Sequence, residues 1–115
     1  MIRAFGLPVP ALAAFILASA MAPGVLAVDA AAAQQLARQS NCFKCHAVDK
    51  KKEGPAYKDV AAKYKGKPDA EARLVQHLTT GEKAKFDDGH EEDHPMVKSK
   101  DASQISNLVQ WILAQ

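Results

Sequence analysis

Cys42-Phe43-Lys44-Cys45-His46 is the stretch on which the reading of this chain turns. Two thiols three positions apart can sit on one side of a helical turn, and the imidazole that follows can swing beneath whatever they hold. The C-x-x-C-H spacing is the attachment pattern of a c-type haem, in which both sulfurs add to the vinyl groups of one porphyrin and the histidine ligates its iron. Three other chemistries compete. A dithiol redox pair expects βαβ surroundings, and a zinc site expects a second ligand pair at a set spacing; the sequence offers neither. A plain structural disulfide suits an exported chain. One covalently attached haem c, tethered by Cys42 and Cys45 and ligated by His46, is the expected cofactor.

Upstream of the motif the chain reads as an address. Arg3 is followed by no further charge until Asp29, and the stretch from Ala11 to Ala22 is apolar apart from Ser19. Small residues at Val25-Leu26-Ala27 follow Pro23-Gly24, so residues 1–27 are expected to be a cleaved secretory signal peptide, with Ala22 as the second choice of site. Pro8, Pro10, Pro23 and Gly24 interrupt the segment, which leaves its continuous apolar part short of the roughly 20 residues that span a bilayer. No stable membrane insertion is therefore expected after cleavage, and the expected location is the periplasm. Removing 27 of the 115 residues leaves 88, whose only aromatics are Phe43, Tyr57, Tyr64, Phe86 and Trp111. So small a chain buries a modest share of its surface, and a prosthetic group would fill part of its interior.

Downstream and upstream of the motif the patterning is helical. Asp29 can cap a helix over the alanine-rich run to Arg38. A second helix is bounded by Pro55 and Gly66, with Tyr57, Val60, Ala61 and Tyr64 along one side. Pro68 and Asp69 open a third that Gly81 closes, with Leu74, Val75 and Leu78 as its apolar side. Asp101-Ala102-Ser103-Gln104 reads as a capping box before Ile105, Leu108, Val109, Trp111 and Ile112. No alternating strand pattern is evident, so the expected fold class is all-α. Leu36, Val60, Leu74, Leu78, Ile105, Leu108 and Trp111 are the expected core and pocket residues.

A length of 115 residues excludes a multidomain enzyme, and ordinary apolar and charged fractions of 48% and 24% argue against disorder and a polytopic membrane protein. A formal charge of +2 is too balanced for a dedicated nucleic-acid binder. Lysines 44, 50, 51, 52, 58, 63, 65 and 67 crowd one half and Asp87, Asp88, Glu91, Glu92 and Asp93 the other, so the molecule is expected to be a dipole able to steer a protein partner.

His46 fills one of two axial positions on iron. Met1 and Met21 would leave with the signal, so Met96, fifty residues beyond His46 and next to Pro95, is the preferred sulfur ligand, His46 and Met96 then being the metal ligands. His94 and His90 in the same segment, and His77 further upstream, are the competitors.

The runs Cys42–Asp49, Gly54–Tyr64, Pro95-Met96 and Leu108–Leu113 together resemble the small bacterial class I monohaem cytochromes c, and the resemblance spans essentially all of residues 28–115. It implies a class I cytochrome c fold of about four helices wrapped around one covalently bound haem c, with the first and last helices crossing. It also implies that Pro55 offers its carbonyl to the Nδ1 proton of His46. Family members are soluble electron carriers in the periplasm that move single electrons between protein redox partners such as a dehydrogenase, a reductase or an oxidase. The resemblance thus implies a monomeric carrier and no enzyme activity. The segment Asp87–His94 departs from the family pattern and puts two imidazoles within six residues of the expected sulfur. Two rival readings are a haem enzyme or gas sensor with a displaceable sixth ligand and a cytochrome subunit of a larger dehydrogenase.

Overall fold

The computed structural model describes residue 6 and residues 27–115; the expected signal peptide lies almost wholly outside the described residues. Four helices carry the domain: α1 (Ala30–Gln39), α2 (Tyr57–Tyr64), α3 (Ala70–Thr79) and α4 (Ala102–Leu113), with a one-turn 3-10 helix over Cys42–Lys44 between the first two. Each boundary has a local cause. The Asp29 carboxylate accepts the Ala32 amide at the start of α1, satisfying a donor that has no intrahelical partner. Asp101 does the same at α4 for the Ser103 and Gln104 amides. The second half of the expected capping box is relayed: Gln104 accepts the Ser99 hydroxyl, which in turn accepts the Asp101 amide. Asp69 precedes α3 without a side-chain cap bond, and α2 begins at Tyr57, leaving Pro55 outside the helix.

Helix α4 is the centre of the fold and packs on α1, α2 and α3. Its Ile105, Leu108, Val109, Trp111 and Ile112 are buried, as are Ala33, Leu36 and Ala37 of α1 and Leu74 and Leu78 of α3. Small Ala33 and Ala37 let α1 and α4 approach closely. Trp111 meets Tyr57 and Phe43 edge-on at 5.7 and 6.4 Å, so the aromatics of three separate elements share one cluster. Six of the seven expected core residues are buried; Val60 is half-buried at the cluster's margin. Polar ties then fix the helix register. Asn107 exchanges hydrogen bonds with the Asp29 backbone at 2.8 and 2.9 Å, and Glu71 of α3 accepts from Ser106 and Gln110.

The expectation of no strands needs correction. Between α3 and α4 the chain forms a small antiparallel hairpin, β1 (Lys83–Lys85) and β2 (Glu91–Asp93). Its strands are three residues long and mostly charged, so they carry no apolar alternation. Register comes instead from opposite charges placed across the ladder, Lys83 with Asp93 and Lys85 with Glu91. Lys83 Nζ lies 2.6 Å from Asp93, and Lys51 Nζ reaches Asp87 at the same distance. The acidic segment therefore folds onto part of the lysine-rich half, which weakens the expected dipole.

The Asp101 cap carries a pH signature. Hydrogen bonds from Ser103 and Gln104 hold its carboxyl below the ordinary value. A depressed carboxyl pKa contributes stability that is complete above the ordinary carboxylate range and is lost as pH falls through the folded-state value. Asp101→Ala is expected to lower the melting temperature at neutral pH and to converge on the wild type in acid, as thermal melts across pH would show.

Candidate functional site

Ser40 ends α1, and Asn41 then adopts a left-handed conformation (φ 58°), which asparagine tolerates better than most residues. This corner turns the chain so that Cys42 and Cys45 open and close a single tight turn, with the Cys45 and His46 amides both bonded to the Cys42 carbonyl. Both thiols are free and half-buried. Burial raises the Cys42 pKa; burial and the neighbouring Glu53 carboxylate raise that of Cys45, whose sulfur lies 3.5 Å from Glu53. Reactive dithiols work through depressed thiol pKa values. This pair has the opposite bias and is suited to being capped, not cycled.

His46 is oriented by its backbone surroundings. Its Nδ1 lies 2.7 Å from the Pro55 carbonyl, and because a carbonyl only accepts, Nδ1 carries the proton and Nε2 keeps its lone pair. Burial lowers the His46 pKa, with the Pro55 carbonyl pulling the other way, so the ring is neutral and ready to ligate. Tyr57 stacks on one face of the ring at 5.0 Å between centroids. Gly54 lies against the Cε1–Nδ1 edge. A Cβ there would stand 2.6 Å from His46 Cε1 and 2.9 Å from Nδ1, while the Gly54 amide bonds the Cys45 carbonyl at 2.7 Å. The loop from Cys45 to Pro55 is thus folded back on itself to aim one nitrogen.

The segment carrying the other candidate ligands is pinned to the end of α3. The His94 amide bonds the Glu82 carbonyl at 3.0 Å and the Val97 amide bonds the Leu78 carbonyl at 2.9 Å. Gly81, with φ 67°, makes the turn out of α3 possible. Lys98 ties back to the buried Ser40 hydroxyl at 2.9 Å, joining this segment to the end of α1. Within it the side chains diverge: Met96 is 57% exposed, while His94 lies inward with a ring centroid 6.3 Å from that of His46. Burial, with His77 and His46 nearby, lowers the His94 pKa to about 4. His77 packs on His94 at 4.0 Å and sits 2.7 Å from the Glu82 carboxylate, which also accepts from Arg73 at 2.7 Å. His90 is turned away, stacked on Phe86 and held by Asp88.

Cys42, Cys45, His46 and Pro55 lie together around the Cys42–Cys45 turn, and Met96 stands on the surface of the described domain. Gly54 and Tyr57 were visible in the sequence only as a pre-proline glycine and a helix-face aromatic. Their roles come from contact with the His46 ring. Two thiols on one turn, an imidazole with a fixed lone pair and an unpartnered buried nitrogen on His94 form a donor set suited to a covalently tethered haem.

Fold and site together define a small helical protein of the covalent-haem type. The cytochrome c family matches residues 30–115, and the chain belongs to that family, among its small bacterial class I monohaem members. Cytochrome c-551 of Pseudomonas aeruginosa is 38% identical over 104 residues, covering 88% of this chain and 96% of that protein. Cytochrome c-552 of Hydrogenobacter thermophilus is 40% identical over 82 residues, covering 70% and 79%. The crystal structure of the class 1 cytochrome MtoD from Sideroxydans lithotrophicus ES-1 is 62% identical, covers 76% of this chain and 97% of that one, and superposes with a TM-score of 0.73. The chain accordingly carries covalently attached haem c and has the class I fold of four helices. Cytochromes c of this family are electron carriers that meet protein redox partners, not enzymes. No helix among the described residues is long and apolar enough to cross a membrane.

Proposed function

We propose that residues 28–115, freed of a signal peptide over residues 1–27, form a soluble, monomeric periplasmic carrier that passes one electron at a time between a donor and an acceptor protein. The observation that carries this reading is the His46 ring, with Nδ1 committed to Pro55 and Nε2 available, directly after a turn that holds the free thiols of Cys42 and Cys45. Bound there, the haem supplies a one-electron iron couple.

The chain's own residues do the rest. Cys42 and Cys45 would tether the group, His46 would ligate its iron, and Pro55 would keep that imidazole from rotating and raise its basicity. Met96, which the spacing favours, and His94 are the two side chains of segment 93–97 that could supply a second donor to it. Held by His46 and a donor from this segment, the iron would be closed to substrates. Exposed lysines, among them Lys44, Lys50, Lys52 and Lys58, would meet an acidic partner transiently, a contact that salt weakens.

The test uses protein exported by a host that matures c-type cytochromes. Its intact mass is expected to equal residues 28–115 plus one haem. The product should cycle reversibly by one electron and leave carbon monoxide unbound in the ferrous state. Rapid tight uptake of carbon monoxide would mark an enzyme or gas sensor, and a colourless product with free thiols would end the haem reading.

A further inference from the structure

We infer that His94, and not Met96, is the second axial ligand opposite His46. The inference rests on the haem reading above and assigns the position that reading leaves between two side chains. With metal–imidazole nitrogen bonds of about 2 Å, two rings bound on opposite sides of one metal have centres about 6 Å apart. The His46 and His94 rings are 6.3 Å apart, although 48 residues separate them in sequence. His94 Nδ1 is buried and has no hydrogen-bond partner, a costly state for a polar atom unless another group takes up its lone pair. Iron ligation by an imidazole is the satisfaction the position lacks. Met96 has neither property. It is more than half exposed, and its Cγ lies over the Gly81 turn, 3.9 Å from where a Cβ would stand.

The other histidines are already committed. His90 stacks on Phe86 at 4.4 Å and is held by Asp88. His77 gives Nδ1 to Glu82, and its ring backs His94. Arg73, Glu82 and His77 thus form a supporting arm from α3, and the Glu82 carbonyl holds the His94 amide as well. The ligand is positioned by two independent contacts to one turn of chain. A second imidazole in place of a thioether also lowers the reduction potential, because sulfur ligation is what raises it in His/Met cytochromes.

The experiment reads the ligand in the ferric holoprotein by near-infrared magnetic circular dichroism and electron paramagnetic resonance. Wild type is expected to lack the sulfur-to-iron charge-transfer band. Met96→Ala should leave both spectra and the midpoint potential unchanged. His94→Ala should lose the low-spin bis-imidazole signature, either by opening the site to carbon monoxide or by recruiting Met96 with a gain of the sulfur band and a more positive potential. A sulfur band in wild type that disappears in Met96→Ala overturns the assignment, as does an unaltered His94→Ala spectrum. The wild-type spectrum decides the matter even where a variant fails to fold. Absence of thioether-bound haem from the wild type overturns the haem reading first, and is recognised by mass before any ligand spectrum is taken.

Discussion

Gly54→Ala is expected to reduce the yield of haem-loaded protein about tenfold or more, the cost typical of disturbing a group that orients a metal-binding histidine. A Cβ at this position would sit 2.6 Å from His46 Cε1 and 2.9 Å from its Nδ1, closer than such atoms approach, and in tight contact with the Cys45 carbonyl at 3.0 Å. Neither neighbour is the loose end of a flexible side chain. His46 is clamped between Tyr57 and the Pro55 carbonyl, and the Cys45 carbonyl is bonded to the Gly54 amide itself. The methyl must displace the ring and so break the 2.7 Å bond to Pro55 that keeps Nε2 aimed. Haem absorbance per polypeptide, measured beside the wild type, checks this. A wild-type ratio would show that the ring is free to move.

Leu108→Ala is expected to cost about 3–4 kcal/mol and to lower the melting temperature by about 15 °C. Leu108 has no exposed surface and belongs to the helix that packs on all three others, so its removal leaves a void that several elements cannot close at once. Such a loss is a large fraction of the stability of a small domain. Val60→Ala supplies the contrast. Half-buried at the edge of the cluster, it should cost about 1 kcal/mol, because the void it leaves is open to solvent. Equal effects of the two substitutions in holoprotein melts would mean that the covalent group, and not α4, centres the core.

Much of the fold was legible because its causes are local. Asp29 and Asp101 cap helices through amides two or three residues away, so a four-residue window suffices to see them. The apolar side of α4 repeats at helical spacing and is buried as that spacing implies. The hairpin escaped notice for the converse reason. Its ladder is specified by lysines and acids six and ten positions apart, which in sequence look like a solvated charge run. Pro55 read as a helix opener because proline is favoured there, yet its carbonyl is bonded to His46 and α2 starts two residues later.

By itself the sequence determined the attachment chemistry, since two thiols and an imidazole within five residues are close enough to serve one group on a single turn. It also determined where the four helices run, through caps and periodicity acting over a single turn. Only the tertiary structure brings the His94 ring beside that of His46. Met96 and His94 are two residues apart, and in a string of letters the spacing favours Met96. The Leu78, Glu82 and His77 contacts made by α3 and its C-terminal turn bring His94 inward and leave Met96 on the surface. A side chain's direction depends on contacts between residues far apart in the chain, and those exist only once the helices have packed.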